Sequence, residues 1–212
     1  MTDLVLVRHG ETVWHAENRY AGVSDVELTP RGHEQAAELA GWAAGAGLTA
    51  VWASTLSRAV ITATAAAGRA GCALRTDPRL RELDFGQGEG LTSAEMRARF
   101  PEARAAFEAD PAAHPLPGGE NPAAAADRFV AALRDIAEDI AGDPAGDPAG
   151  RMLVVAHTTA IRLALCRLIG VPLGEYRRLF PRLDNCALTE LRLREGGRAA
   201  LLQYNSPIGA VR

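Results

Sequence analysis

The chain has 212 residues, a formal net charge of −3 at pH 7, 48% hydrophobic residues and 23% charged residues. These values are typical of one globular domain with a full hydrophobic core, and they exclude intrinsic disorder. Nucleic acid is not an expected partner, because 26 acidic residues outnumber 23 arginines and no lysine is present. The absence of lysine also excludes Schiff-base and other lysine-based mechanisms.

Two further features bear on location. No apolar run reaches the roughly 18 residues of a membrane span, and we expect no secretory signal at Met1-Thr2-Asp3. The cysteines are scattered and odd in number, which argues against a disulfide framework or a cysteine metal site. The sequence therefore predicts a cytoplasmic protein without a membrane partner.

Strand and helix patterns alternate along the chain. Residues 4–7 predict a short buried strand, and Thr29-Pro30 is typical of a helix start, with Thr29 as the N-cap. The elements predicted after this helix are a strand at 51–53, a helix at about 57–70, a strand at 73–76, a strand at 152–156, a helix at 161–169, and a hairpin of 188–193 with 199–204 around Gly196-Gly197. This order predicts an α/β fold, a three-layer sandwich whose mostly parallel central sheet is covered by helices on both faces.

Two segments interrupt this alternation. Residues 91–123 contain five prolines between short helical pieces, and we interpret them as a small lid insertion over one edge of the sheet. Within them, Met96, Phe100 and Phe107 are spaced as the apolar face of a small helix. Residues 142–149 repeat Gly-Asp-Pro-Ala, which is typical of a solvated surface connection. Since no linker is long enough to separate two domains, we expect residues 1–212 to form one domain.

Charged side chains follow the predicted strands directly or closely. Arg8 and His9 follow the first strand, Arg58 comes shortly after the second, and His157 follows the strand at 152–156. Ligands of open parallel sheets bind beyond the carboxyl ends of the strands, so we expect these side chains to converge. A single histidine or arginine in such a position is more often structural, but the repeated placement favours a site. Arginine forks and helix N-termini suit phosphate oxygens, which predicts an anion pocket centred on histidine.

The segment Leu6-Val7-Arg8-His9-Gly10-Glu11-Thr12 resembles the signature of the histidine phosphatase superfamily, the phosphoglycerate mutase-like enzymes. Further segments resemble that family in the same order: Leu28-Thr29 to Gly32 with Gln35-Ala36, Ser54 to Arg58-Ala59 with Thr62-Ala63, Leu80-Arg81-Glu82 with Gly86 and Glu89-Gly90, Pro117-Gly118-Gly119-Glu120, and Val155-Ala156-His157. The resemblance extends over roughly residues 3–205.

This resemblance implies a role for each matching residue. His9 would attack phosphorus and form a phosphohistidine, while Arg8, Arg58 and a protonated His157 would hold the phosphoryl oxygens. Glu82 would protonate the leaving oxygen and then activate water. The alternative for Glu82 is an ion pair with a neighbouring arginine, Arg79 or Arg81.

Further residues are assigned to phosphate binding with less support from the motifs. His15 stands where the family usually has asparagine and would donate a hydrogen bond to phosphate, with a surface role as the alternative. Thr158 stands where the family usually has glycine and would contact phosphate through its N–H or its hydroxyl. Gly22 is also assigned to phosphate binding. The remaining histidines, His33 and His114, are interpreted as structural. Because the histidines lack ligand-type spacing, the sequence predicts neither a metal nor a cofactor.

The function predicted from these observations is a metal-independent phosphomonoesterase that acts on a small phosphorylated metabolite. The alternatives are a phosphoglycerate mutase, which is an isomerase, and a phospho-ligand binding module without turnover. The run Leu83-Asp84-Phe85-Gly86 after Glu82 resembles the phosphatase branch of the family. The sequence leaves open whether the substrate is a phosphosugar, a phosphoglycerate derivative, a nucleotide or a phosphoamino acid, and whether the chain forms a homodimer.

Overall fold

The structure is a computed structural model that describes residues 2–141, 150–194 and 198–209. Its strands are β1 (Thr2–Arg8), β2 (Leu48–Ala53), β3 (Leu74–Thr76), β4 (Arg151–Ala156), β5 (Leu188–Leu193) and β6 (Ala199–Ser206). Its helices are α1 (Val13–Ala16), α2 (Pro30–Ala43), α3 (Ser57–Ala70), α4 (Ser93–Arg99), α5 (Pro101–Ala109), α6 (Pro122–Ala141), α7 (Thr158–Ile169) and α8 (Tyr176–Leu179). Short 3₁₀ turns lie at Pro78–Leu80, Gly86–Gly88 and Leu173–Glu175.

Within the described residues, the six strands form one mixed sheet in the order β3-β2-β4-β1-β5-β6. The four strands β3, β2, β4 and β1 are parallel, whereas β5 is antiparallel to both β1 and β6. The predicted α/β fold with a mostly parallel central sheet is confirmed, and both strands of the predicted hairpin pair with each other. The turn at Gly196-Gly197 and the repeat at 142–149 lie outside the described residues.

Each face of the sheet has its own hydrophobic core. Along β1, Leu4 and Leu6 belong to a core with α6 and α7, whereas Val5 and Val7 belong to a core with α2 and α3. This division follows from the alternation of side chains along a strand. Full burial of one such side chain contributes about 1.5–3 kcal/mol to folding, so the burial on each face stabilises the packing of helices against the sheet.

Local signals set the helix ends. The hydroxyl of Thr29 accepts a hydrogen bond from the N–H of Gly32 at 3.0 Å, which confirms the predicted N-cap of α2. Helix α7 begins at Thr158 rather than at 161, immediately after His157. It ends at Ile169, and the following Gly170 has a φ of 79°, in the left-handed region that favours glycine.

Helix α6, with 20 residues, was not predicted from the sequence. Its start carries a signal, because the side-chain oxygen of Asn121 accepts from the N–H groups of Ala123 and Ala124 at 2.8 and 3.2 Å. Its buried side chains include Phe129 and Leu133, which have helical spacing. Neither this helix nor any other in the described part of the chain is long and apolar enough to cross a bilayer.

The predicted insertion contains two helices, α4 and α5, which meet at Phe100. Met96 on α4 and Phe107 on α5 are fully buried, in the same core as Leu4 and Leu6. Their predicted core role is confirmed, while Phe100 is only partly buried. The insertion therefore contributes to the core of one sheet face, and its role as a lid over the edge of the sheet stays a prediction.

Candidate active site

The carboxyl ends of β1 and β4 bring His9 and His157 together. These strands are parallel neighbours, and the N–H of His9 donates to the carbonyl of Ala156 at 3.0 Å. The centroids of the two imidazole rings lie 5.0 Å apart, and both residues are buried, with 2% and 0% of their surface exposed. The convergence expected from the strand ends is therefore present.

The orientation of His9 leaves one ring nitrogen available as a nucleophile. Its Nδ1 lies 2.7 Å from the carbonyl oxygen of Gly10, so Nδ1 carries the proton and donates it to that oxygen. Nε2 is then unprotonated and accepts a hydrogen bond from Nε of Arg58 at 3.2 Å. Burial lowers the pKa of His9 well below its ordinary value, and the charges of His157, Arg58 and Arg8 lower it further. His9 is thus held as a neutral imidazole.

Arg58, in the first turn of α3, is fully buried and held by backbone carbonyls. Its Nη1 donates to the carbonyl of Ser24 at 2.7 Å, and its Nη2 donates to the carbonyl of Gly22 at 2.6 Å. Asp25 anchors the start of the same helix, because it accepts from the N–H and hydroxyl of Ser57 at 2.9 and 2.7 Å. The loop at residues 22–25 therefore fixes the guanidinium beside His9.

Glu89 in turn organises that loop. Its carboxylate accepts hydrogen bonds from the N–H groups of Gly22, Val23 and Ser24 at 3.1–3.3 Å and from the hydroxyl of Ser24 at 2.7 Å. A Cβ on Gly22 would lie 2.0 Å from the carboxylate, so only glycine fits there. The N–H of Gly22 is engaged by Glu89 and its carbonyl by Arg58; its predicted contact with phosphate stays a prediction.

Arg8 and His15 form a pair on the other side of His9. Nη1 of Arg8 donates to the carbonyl of Leu183 at 2.8 Å, and Nη2 lies 2.7 Å from Nε2 of His15. Because arginine can only donate, Nε2 of His15 accepts, and Nδ1 lies 3.1 Å from the hydroxyl and 3.4 Å from the backbone nitrogen of Thr12. Burial lowers the pKa of His15 to about 3 and that of Arg8 to about 10. His15 therefore orients Arg8 here, and its direct contact with phosphate stays a prediction.

His157 is placed directly before α7. Both of its ring nitrogens are buried and have no hydrogen-bond partner among the described residues. Burial lowers the pKa of His157 well below its ordinary value, and the charges of Arg58, Arg128 and Arg8 add to this effect. The protonated state expected from the sequence thus requires an anion beside the ring, because an opposite charge would raise the pKa again. Thr158, the first residue of α7, lines the adjacent cavity.

Glu82 faces the N-terminus of α7. Its Oε1 accepts from the N–H groups of Leu83 and Ala160, both at 2.8 Å, and its Oε2 accepts from that of Thr159 at 2.9 Å. Burial raises the pKa of Glu82, while these backbone donors and the charge of Arg58 act in the opposite direction. The carboxyl group is therefore close to the phosphate-binding groups and disposed to hold a proton.

The alternative of an ion pair between Glu82 and a neighbouring arginine is not present. Arg79 pairs with Asp77 and Asp135, and Nε of Arg81 donates to the carbonyl of Pro78 at 3.0 Å. Arg128 supports the segment instead, because its guanidinium donates to the carbonyls of Arg79, Arg81 and Glu82 at 2.7–2.9 Å.

A cavity of about 550 Å³ opens onto this group of residues. Arg8, His15, Glu82 and Thr158 line it, while His9, Arg58 and His157 are buried around the carboxyl ends of the strands. The structure thus gathers the predicted residues, with Gly22 behind Arg58. His33 and His114 are exposed and lie outside the cavity lining.

Sequence reasoning assigned no role to several residues that hold the site. Thr62 accepts from the N–H of Gly10 at 3.0 Å, and the amide of Asn185 donates to the carbonyl of His9 at 2.7 Å. Glu89 and Thr62 belong to the motifs that resemble the family, and this membership could have identified them. Nothing in the sequence pointed to Asn185 or Arg128. Among the described residues, no three His, Cys, Asp or Glu side chains are grouped so that they could hold a metal ion.

Comparison with known proteins gives consistent matches over nearly the whole chain. The model of the histidine phosphatase superfamily (branch 1) matches residues 4–206. A protein of Salmonella paratyphi B named probable phosphoglycerate mutase GpmB is 35% identical over 200 residues, which cover 92% of this chain and 86% of the relative.

Solved structures match equally widely. A mycobacterial glucosyl-3-phosphoglycerate phosphatase superposes with a TM-score of 0.86 at 29% identity, covering 97% of this chain and 99% of the other. The alpha-ribazole phosphatase of Shigella flexneri superposes with a TM-score of 0.83 at 26% identity, covering 99% of this chain and 100% of the other. The fold is thus shared with proteins that are named as phosphatases.

Proposed function

Because the chain belongs to branch 1 of the histidine phosphatase superfamily, we propose that it is a phosphomonoesterase that hydrolyses a small phosphorylated metabolite through a phosphohistidine at His9. One observation carries the proposal. The proton of His9 is fixed on Nδ1 by the carbonyl of Gly10, so Nε2 presents a lone pair beside the guanidinium of Arg58. A neutral, oriented imidazole between fixed cations is what attack on a phosphate dianion requires.

Binding of the phosphate group is supported by the unpaired donors of the site. Nε of Arg8 and both ring nitrogens of His157 are buried without partners among the described residues. A phosphate dianion would supply acceptors for them, and its charge would raise the pKa of His157 so that the ring becomes a donor. Arg8 and Arg58 would offset the two negative charges.

In the first step, the hydrogen bond from Nε of Arg58 to Nε2 of His9 breaks, and Nε2 forms a bond to phosphorus while the bond from phosphorus to the ester oxygen breaks. Glu82 gives its proton to that oxygen, and the alcohol leaves. The raised pKa of Glu82 supports this role, because the group must be protonated when substrate binds. The charges of Arg8 and Arg58 stabilise the transferred phosphoryl group throughout.

In the second step, water attacks phosphorus and the bond to His9 breaks. Glu82, now a carboxylate held by the N–H groups of Leu83, Thr159 and Ala160, takes a proton from the water. The products are inorganic phosphate and an enzyme with Glu82 protonated again. We include metal independence in the proposal, because arginines supply the positive charge that a metal would otherwise provide.

A second candidate is a phosphoglycerate mutase, since the Salmonella relative carries that name. In a mutase the phosphohistidine would return its phosphoryl group to the substrate instead of to water. The run Leu83-Asp84-Phe85-Gly86 and the phosphatase names of the structural relatives favour hydrolysis. A binding module without turnover is disfavoured, because binding alone has no use for the acid Glu82.

One assay separates these three functions. Release of inorganic phosphate is measured on a panel of phosphomonoesters, together with the interconversion of 3- and 2-phosphoglycerate. We expect phosphate release that a chelator leaves unchanged. Interconversion without release would establish the mutase, absence of both would favour the binding module, and loss of activity with the chelator would overturn metal independence.

We also propose that the protein acts in the cytoplasm on a small-molecule substrate. Its cysteines support a reducing compartment, because Cys72, Cys166 and Cys186 are all free thiols. Fractionation of cells that express the chain from its own gene tests this location, and recovery from an extracytoplasmic fraction would contradict it.

A further inference from the structure

We propose that the preferred substrate carries a second anionic group besides its phosphate, and that Arg162 and Arg177 bind this second group. The inference rests on the proposed function, because it concerns the same cavity. It adds the chemical class of the substrate, a phosphomonoester with a carboxylate or a second phosphate.

Both arginines line the cavity that also contains Arg8 and Glu82. Arg162 is on α7, one helical turn after Thr158, so the two side chains lie on the same face of the helix. Arg177 is on α8, a separate helix that contacts α7. Two cations from separate elements thus face the volume beyond the phosphate-binding residues.

Neither charge is neutralised by a carboxylate within the described part of the chain. Nη2 of Arg162 donates to the carbonyl of Pro181 at 2.9 Å, while its Nε is buried without a partner. Nε of Arg177 donates to the hydroxyl of Tyr176 at 3.0 Å. Tyr20 and Tyr204 add hydroxyl contacts to Arg177 and Arg162, respectively. All of these acceptors are neutral, so neither arginine has a counter-ion among the described residues.

Arg19 provides the contrast within the same cavity lining. It forms ion pairs with Glu17 at 2.7 Å and Glu95 at 2.9 Å, so its charge is already matched. A partly buried charge without a counter-ion lowers the stability of the fold. The presence of two such charges in one part of the cavity lining therefore points to a ligand that supplies the counter-ion.

The charge balance of the whole cavity supports a second anion. In the proposed mechanism the phosphate dianion is offset by Arg8, Arg58 and the His157 ring that it protonates, while Glu82 takes part as a neutral acid. The charges of Arg162 and Arg177 then remain for another group. The guanidinium of Arg177 lies 4.7 Å from the ring centroid of Phe107, which is fully buried, so this fork is fixed before the ligand arrives.

The test compares substrates that differ only in the second group. Phosphate release is measured with 3-phosphoglycerate and with glycerol 3-phosphate, in which a neutral hydroxymethyl group replaces the carboxylate. A second pair, the bisphosphate and the monophosphate of 1,3-propanediol, distinguishes a phosphate from a carboxylate. We expect kcat/KM to favour 3-phosphoglycerate or the bisphosphate over its partner without the second anionic group by about tenfold or more, the effect of a charge-assisted hydrogen bond.

The variants Arg162→Gln and Arg177→Gln should reduce this preference to about twofold or less, and Arg177→Lys should restore part of it. Arg178→Gln is the matched control, because Arg178 is an exposed residue of the same helix that pairs with Glu175. It should keep the full preference and the rate of the native enzyme. The preference is a ratio within one variant, so partial misfolding cancels.

Binding of the same compounds to the His9→Asn variant, measured by calorimetry, decides the inference independently of turnover. Equal affinity for both members of each pair would overturn the inference even if the enzyme hydrolyses aryl phosphates. Preferential binding of the member with the second anionic group, without any hydrolysis by the native chain, would instead overturn the proposed function. A preference that survives both arginine substitutions would remove these residues from the subsite.

Discussion

Replacement of Glu82 by Gln tests the proposed acid, and the structure indicates how much stability the replacement loses. The native carboxylate accepts three backbone hydrogen bonds, two at Oε1 and one at Oε2. A glutamine that keeps its oxygen at the first position turns its amide N–H₂ towards the N–H of Thr159. One buried donor then loses its acceptor, which costs about 1–3 kcal/mol of the free energy of unfolding.

The kinetic effect of the same change should depend on the leaving group. An alkoxide needs a proton to depart, and the loss of general acid help should slow an alkyl phosphate by about 10²–10⁴-fold. At about 1.36 kcal/mol per factor of ten, this corresponds to about 2.7–5.4 kcal/mol of activation free energy. A nitrophenolate leaves readily without a proton, so formation of the phosphoenzyme from p-nitrophenyl phosphate should slow much less.

Single-turnover measurements with both substrates, below the melting temperature of the variant, separate chemistry from stability. Glu120→Gln is the matched control, because Glu120 accepts from Arg128 at 2.7 Å, the residue that holds the carbonyl of Glu82. This control disturbs the segment without removing the acid and should slow both substrates alike. Equal slowing of both substrates in Glu82→Gln would refute the acid role.

Three further results are expected. Glu89→Gln should lower kcat/KM by about tenfold and weaken vanadate binding, because the loop that positions Arg58 loses acceptors. The control Glu95→Gln on α4 should act like the native enzyme. Native activity in Glu89→Gln would contradict the role of the loop. The melting temperature should fall from pH 7 to pH 5, because the pKa values of His9 and His157 are lowered in the folded chain while unfolded imidazoles bind protons near pH 6.5. Each histidine lowers the free energy of unfolding by up to about 1.4 kcal/mol per pH unit of acidification. Glu82 has the opposite effect, but only between its unfolded pKa and its raised folded value. A melting temperature that rises from pH 7 to pH 5 would contradict the assignment. Arg58→Ala should weaken vanadate binding and turnover together, and loss of turnover alone would restrict Arg58 to the transition state.

The residues at strand ends were predictable because a simple rule places them. Parallel strands end at one edge, so Arg8, His9 and His157 converge whatever the loops do. The cap at Thr29 was predictable for the same reason, since it depends on neighbouring residues only. Helix α6 was missed although the sequence carried signals for it, since Phe129, Leu133 and Ile136 have helical spacing and Asn121 caps its start.

The supports of the site could not be predicted from local pattern. Glu89 reaches the loop at residues 22–24, and Arg128 reaches residues 79–82, through contacts that exist only after the core is packed. The charge state of His157 depends on the ligand, because burial alone lowers its pKa and a bound anion would raise it again. The isolation of Arg162 and Arg177 from carboxylates likewise becomes visible only in three dimensions.

The central claim is that His9 carries the phosphoryl group during turnover. Rapid quench of the native enzyme with a ³²P-labelled phosphomonoester, followed by peptide mapping, should give an acid-labile label on His9. The label should be absent from His9→Asn, although vanadate still binds to that variant through Arg8, Arg58 and His157. A label on any other residue, or native turnover in His9→Asn, would contradict the mechanism.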